Sequence, residues 1–342
     1  MKRRNFIAGL GGATITWPLG GSSSQSLMVA AWAQSPQQAR RVGVLLPFDE
    51  NDPEAKNRLK QFRLGMRDLG WIEGRDVLID IRFTGVNPES INTGVVELIK
   101  AAPEVIVAHS SPGLAAVRRA TSTIPIVFPS VSDPVGQGFI ANYAHPGGNI
   151  TGFTFIEPEI VGKWINLLSD LKPDLSRVTL MFNPDTSPIN WDIYYRSFKT
   201  SPQKFAIEVE VAHVRTVSEI ESGIAKLADE QGSALILGPD NFLINMRASA
   251  IKSANKHRVP TISAYRQFVV DGSLMAYGPD TGDLSRRASG YVDRILRGEN
   301  PGNLPVQSPI RFELVVNLQT AKTLGLPVRD SFLELCDEVI EW

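Results

Sequence analysis

Short, wholly apolar runs alternate with stretches where apolar residues recur every three or four positions, from Arg41 onwards. Arg41-Val-Gly-Val-Leu-Leu-Pro47 is such a run, ended by proline, and reads as a buried parallel strand. Leu59, Phe62, Met66 and Leu69 follow at helical spacing, with Gly70 placed to stop the helix. Val77 to Phe83 alternates apolar with polar residues, as a strand near a sheet edge does, and Ile91 to Ile99 reads as a helix. Val105 to Ala108 and Ile126 to Phe128 are further buried strands. Between them Ser110-Ser111-Pro112 opens a helix, with serine to cap it and proline where the first helical N–H is unpaired anyway. Strands that alternate with helices in this way imply a parallel, doubly wound α/β sheet.

The same order starts again downstream. Ile160, Trp164, Leu167, Leu168 and Leu171 mark a helix, and Val178 to Phe182 a strand leading into Asn183-Pro184-Asp185. Ile207 to Val211 is a strand, and Ile220, Ile224 and Leu227 share a helix face. Ala234 to Leu237 is a strand ending in Gly238-Pro239-Asp240, Leu243 to His257 a helix, and Thr261 to Ser263 a strand. The halves match in pattern rather than identity, which makes an internal repeat. Between them lies Val131 to Phe155, rich in glycine and punctuated by Pro134, Pro146, Gly147 and Gly148; it reads as the passage between two lobes, with Gly147-Gly148 and the strand from Thr151 as the hinge. Lobe 1 is expected over 40–149 and lobe 2 over 150–275. The strand Ser273–Gly278 and the helix Leu284–Leu296 are expected to return to the first lobe, over 276–305. The strand and helix within 306–342 have no assigned lobe.

Residues 1–33 form a separate region. Lys2-Arg3-Arg4, a weakly apolar stretch and Ala31-Trp32-Ala33 have the layout of an export signal cleaved after Ala33. Arg3-Arg4-Asn5-Phe6-Ile7 resembles a twin-arginine signal, with the general secretory route as the alternative. A periplasmic location follows as the expectation. No later apolar run approaches the length of a membrane span, so no stable membrane insertion of the mature chain is expected.

Composition narrows the chemistry. A length of 342 residues fits two domains, and the net charge of −1 supplies no basic field for nucleic acid. The single cysteine, Cys336, excludes an intrachain disulfide and a cysteine-based zinc site. The four histidines have no metal-binding spacing, and no G-x-S-x-G or P-loop pattern occurs after the leader. No enzyme activity, metal or cofactor is expected.

Several segments together resemble a known family. They are Ile124-Pro-Ile-Val-Phe, Asp133-Pro-Val-Gly, His145-Pro-Gly-Gly-Asn-Ile-Thr-Gly, Tyr277-Gly-Pro-Asp, Tyr291-Val-Asp-Arg-Ile-Leu-Arg-Gly and Phe312-Glu-Leu-Val-Val-Asn-Leu-Gln-Thr-Ala-Lys. From about Arg41 to Trp342 the chain is similar to type I periplasmic binding proteins, and most of all to the ABC transporter substrate-binding family with tryptophan- and tyrosine-binding members. The resemblance implies two α/β lobes joined by a hinge, a small-molecule ligand between them and an ABC permease as partner. A monomer is expected. His109-Ser110-Ser111-Pro112 departs from the Gly-Thr-Pro type of turn common in that family, at the expected pocket.

Ligands of open α/β sheets bind beyond the carboxyl ends of the strands. That rule selects Phe48, Asp49, Ser110, Ser111, Ser130 and Asp133 in the first lobe, Asn183, Asp185, Asp240 and Tyr265 in the second, and Tyr277 at a crossing. Six of them have a structural role as the alternative: helix capping for Ser110, Ser111 and Asp240, a turn for Asp133, core packing for Tyr265 and Tyr277. An amino acid or a relative fits this set, with its carboxylate at the helix start of Ser110-Ser111, its ammonium at Asp240, and Phe48 and Tyr265 flanking its side chain. A sugar or polyol held by Asp49, Asp133, Asn183 and Asp185 is the rival ligand. A periplasmic sensor working with a signalling receptor is the rival role.

Overall fold

A computed structural model describes residues 39–187, 190–200 and 207–342. The expected leader, with Arg3-Arg4 and the Ala31–Ala33 cleavage site, lies outside the described residues.

The first half runs β1 (Arg40–Leu46), α1 (Pro53–Asp68), β2 (Val77–Phe83), α2 (Pro88–Lys100), β3 (Val105–Ala108), α3 (Ser111–Ala120), β4 (Ile126–Val131) and β5 (Ile150–Thr154). Its five strands form one parallel sheet in the order β2-β1-β3-β4-β5, so β2, the alternating strand, is an edge. The second half runs α4 (Ile160–Leu171), β6 (Arg177–Phe182), α5 (Asn190–Thr200), β7 (Glu208–His213), α6 (Val217–Ala228), β8 (Ser233–Leu237), α7 (Asn241–Asn245), α8 (Arg247–His257), β9 (Thr261–Ser263), α9 (Arg266–Val270) and β10 (Met275–Pro279). After these come α10 (Thr281–Leu296), β11 (Phe312–Asn317), α11 (Leu318–Leu324), α12 (Asp330–Leu333) and β12 (Glu338–Ile340). The second sheet has seven strands, β12-β11-β10-β9-β8-β6-β7, with β10 and β11 antiparallel.

Three differences from the sequence expectation concern where the chain crosses. Ile150–Thr154 is hydrogen-bonded to β4 in the first sheet, so the chain leaves that sheet after residue 154 rather than at 149. Gly147 and Gly148, both with positive φ, lie in the turn that enters β5 and not between the sheets. The strand Met275–Pro279 stays in the second sheet, and only the helix after it, α10, lies against α1 and the first sheet. The chain thus crosses at 155–159, at 279–281 and at 304–312, and the last crossing leads into β11 and β12 of the second sheet. The crossings are tied together: Thr154 N–H donates to Gln307 O (2.9 Å), Gln307 N–H to Gly152 O (3.1 Å) and Asp280 N–H to Arg311 O (3.1 Å). Gly152 has to be glycine, because a Cβ there would stand 2.0 Å from the Phe128 carbonyl oxygen.

Local chemistry sets the helices that frame the cleft. Asp52 caps α1, accepting from the N–H groups of Glu54 (2.8 Å) and Ala55 (3.2 Å), and Pro53 occupies the first helical position. Ala55, Leu59, Phe62 and Met66 form the apolar stripe that α1 buries, and Arg58 is buried among them. The helix expected over Leu243–His257 is two helices, α7 and α8, broken at Met246, whose φ of −98° and ψ of 11° leave the helical range. The main apolar core draws on both sheets, with Trp164 fully buried and its indole N–H donating to the Tyr277 carbonyl (2.7 Å).

Candidate ligand-binding site

At the carboxyl ends of the strands, the two lobes enclose a cavity of about 30 Å³. Phe48 follows β1, Ser110 and Ser111 follow β3, and Ser130 and Ser132 end β4; from the other lobe come Thr186 after β6, Asn241 after β8 and Tyr265 after β9. This is the crevice where an α/β sheet exposes strand ends and helix starts together. The volume suits one or two water molecules and nothing larger, because the lobes touch around it. Asn241 donates across the cleft to the Pro47 carbonyl (2.9 Å), and Tyr194 donates to the Ser132 hydroxyl (3.3 Å). A buried ion pair also spans the lobes: Arg247 meets Asp52 at 2.5 Å and Asp271 at 2.6 Å.

Among the described residues, Arg58 is the one charged side chain lining the cavity. It is 2% exposed, and its guanidinium lies 5.0 Å from the Phe48 ring centroid in its own lobe and 5.9 Å from the Tyr265 ring centroid in the other. Its Nε donates to Glu54 (2.7 Å), which also accepts from the Thr281 hydroxyl (2.6 Å). Its Nη2 is buried with no hydrogen-bond partner among the described residues. A buried charged donor left unpaired costs more than an ordinary hydrogen bond returns, so this atom is where a water or a ligand acceptor would be favoured. Asn241 is its counterpart across the cleft: its Nδ2 is committed to Pro47, and its buried Oδ1 has no donor.

The start of α3 has an unusual backbone. Ser110 sits at φ 61° and ψ 160°, a region that residues other than glycine rarely enter, and its hydroxyl accepts from Gly113 N–H at 3.5 Å. The Ser111 hydroxyl accepts from Gln137 (3.1 Å). His109, just before them, is fully buried. Burial and then the Arg58 charge hold its pKa well below the ordinary value, so the ring stays neutral, and its Nδ1 has no partner.

The cavity brings together five of the sequence-selected residues: Phe48, Ser110, Ser111, Ser130 and Tyr265. The other six lie elsewhere. Asp49 is exposed and accepts from Asn51 N–H (2.8 Å). Asp133, at φ 41°, holds its own turn through Gly136 N–H (2.8 Å). Asn183 closes a turn on Asp185 N–H (2.8 Å), and the exposed Asp185 carboxylate meets Arg215 (3.1 Å). Tyr277 stacks on Phe312, ring centroids 5.8 Å apart. Asp240, expected to face the α3 start with a free carboxylate, is completely buried and caps α7 instead, accepting from Leu243 N–H (2.9 Å) and the Thr186 hydroxyl (2.8 Å). Burial raises its pKa, and those bonds only partly offset the rise.

The sequence reading missed Arg58 and Asn241. Arg58 carried a signal, since it falls three residues after Ala55 and four before Phe62, inside an apolar stripe where a charge needs a reason. Asn241 carried none, because it is one more polar residue at a helix start.

The chain matches the family described as "ABC transporter substrate binding protein" over residues 42–340. It belongs to that family. This substrate-binding protein is 26% identical over 274 residues to a "Tyrosine-binding protein" of Clostridioides difficile (strain R20291), covering 80% of this chain and 78% of the relative. Among solved structures it is similar to a domain from Streptococcus pneumonia in complex with L-Trp, with a TM-score of 0.81, 22% identity and coverage of 88% of this chain and all of the other. It is also similar to a ligand-free, open substrate-binding protein with adhesive properties from Clostridium difficile, with a TM-score of 0.66, 23% identity and coverage of 89% and 100%. The two sheets of this substrate-binding protein and the crossings between them make the type I periplasmic binding fold. Among the described residues no helix is long and apolar enough to cross a membrane, and no group of three or more His, Cys, Asp or Glu side chains could hold a metal ion.

Proposed function

We propose that this substrate-binding protein is the exported solute-binding component of an ABC importer, and that it takes an amino acid or a related carboxylate in the cleft. The observation that carries the reading is the buried Nη2 of Arg58, a cationic donor without an acceptor, in a cavity lined by both lobes. A carboxylate supplies that acceptor as a charge-assisted hydrogen bond, and the start of α3 adds the positive end of a helix dipole. The names of the relatives, one tyrosine-binding and one bound to L-Trp, support an amino-acid-like ligand. The cavity is too small for such a molecule while the lobes touch, so the lobes part at the three crossings to admit it. The ligand then favours closure through contacts to both lobes at once, and the protein does no chemistry on it. The layout of residues 1–33 supports export to the periplasm.

Isothermal titration calorimetry of the mature chain with amino acids, related carboxylates and neutral sugars tests the ligand class. X-ray scattering beside it tests the movement. A carboxylate is expected to bind and to shrink the radius of gyration. Tight binding of a neutral sugar, with no response to any carboxylate, is the result that overturns the proposal.

A further inference from the structure

We infer that the cleft takes its ligand as a carboxylate that carries a neutral hydrogen-bond donor, such as a hydroxyl, in place of an ammonium group: a hydroxylated carboxylate with an aromatic or apolar body. This rests on the reading above that the ligand bears a carboxylate. Two residues of the lining carry a buried atom with no partner among the described residues, and the two atoms are complementary: Arg58 Nη2 in the first lobe is a charged donor, and Asn241 Oδ1 in the second is a neutral acceptor. The Asn241 amide cannot turn to present its NH2 instead, because its Nδ2 is held by the Pro47 carbonyl at 2.9 Å. One ligand that bridges the cleft satisfies both atoms if it carries a carboxylate and, beside it, an O–H or N–H. Phe48, Phe155 and Tyr265 supply ring surface for the ligand's body, with Phe155 and Tyr265 stacked at 4.9 Å.

An ammonium would donate to Asn241 equally well, but its charge would find no counterpart. None of the described residues lining the cavity is a carboxylate. Four nearby carboxylates are committed elsewhere. Glu54 is held by Arg58 Nε and Thr281, and it faces a different hollow beside α10. Asp240 caps α7, Asp133 closes its turn on Gly136, and Asp185 pairs with Arg215. The lining groups other than Arg58 that could meet a charge are hydroxyls and one amide, and in a closed, dehydrated cleft a cation beside the Arg58 guanidinium is repelled. Amino-acid sites usually present both charges; this one presents half of that arrangement.

The experiment is calorimetry with matched pairs: phenylalanine against phenyllactate, and tyrosine against 4-hydroxyphenyllactate, with 3-phenylpropionate to isolate the hydroxyl. The hydroxy acid of each pair is expected to bind at least tenfold more tightly than the amino acid, and 3-phenylpropionate more weakly than phenyllactate. Asn241→Asp places a carboxylate where the ammonium would lie, and it is expected to cut the ratio tenfold or reverse it. Tighter binding of the amino acids by the unaltered protein overturns this inference and leaves the proposed function standing. Binding of neutral sugars alone overturns both. An unchanged ratio in Asn241→Asp removes Asn241 from the site and the inference with it.

Discussion

Helix α1 carries arginines on opposite faces, and the two faces border hollows of very different size. The outer face exposes Lys56, Lys60, Arg63 and Arg67 beside an open groove of about 700 Å³, walled by Trp71, Ile72 and Ile79. The inner face buries Arg58 beside a cavity of about 30 Å³. Size alone favours the outer groove. Bonding favours the inner one, since Arg63 is 43% exposed and pairs with Glu73 at 2.9 Å, whereas Arg58 keeps a buried nitrogen with no hydrogen-bond partner among the described residues. A cleft between two lobes changes volume as the lobes move, while its unmet bonds persist. The unmet bond is therefore the better marker of a ligand.

The largest difference between the faces is expected in stability. Arg58→Met leaves Glu54 buried without its cation, and breaking a buried pair by removing one partner costs roughly 3–5 kcal/mol. Arg63→Met breaks an exposed pair and is expected to change stability by about 0.5 kcal/mol or less. Urea denaturation of the two variants measures the gap, and equal losses would erase the distinction between the faces. Adding Glu54→Gln to Arg58→Met is expected to restore part of the loss, because the stranded carboxylate is gone.

A smaller effect is expected from Arg247, the inner-side arginine that already has its partners. Burial pulls its pKa down, but the bonds from Asp52 and Asp271 outweigh this and raise it overall. Arg247→Met strands Asp52 and opens one face of the lobe contact, with Asp271 partly screened by water. A loss of about 2–3 kcal/mol is expected, with a larger radius of gyration in the absence of ligand. An unchanged scattering profile would mean that this pair does not hold the lobes together.

The smallest effect is a pH dependence. His109 stays neutral in the folded chain because burial and then Arg58 hold its pKa well down, whereas in the unfolded chain it titrates near about 6.5. The unfolded state therefore takes up a proton that the folded state refuses. Stability from this group is fully present above about pH 6.5 and falls by about 1.4 kcal/mol per pH unit below it, down to the folded pKa. Replacing His109 by glutamine is expected to remove that slope between pH 6.5 and 5.5 in denaturation curves. A slope that persists in full would assign it to other groups.

Much of the architecture could be read from the chain because it depends on local patterns. The apolar runs at Val42–Leu46, Val105–Ala108 and Ala234–Leu237 are strands buried on both faces, and such runs become parallel strands between helices. Ser110 before Pro112 starts a helix because its hydroxyl and the proline ring meet the needs of unpaired N–H groups. The rule that ligands lie past strand ends led to Ser110, Ser111 and Tyr265, since it follows from the same local order.

What the sequence could not settle depends on which distant atoms meet. Asp240 reads as a free carboxylate after a strand, yet Thr186, 54 positions away, and the start of α7 consume it. Whether β5 closes the first sheet or opens the second is settled by its bonds to β4 and by the close approach of Gly152 to Phe128. Arg58 and Asn241 are ordinary polar residues in the sequence; folding alone brings them to the same cavity, buries both and leaves one nitrogen and one oxygen without partners among the described residues. Local sequence determines strands, helices and caps because those bonds close within a few residues. The balance of buried charge and unmet hydrogen bonds closes only in three dimensions, so only the tertiary structure decided which buried polar atoms of the cleft residues are left without partners.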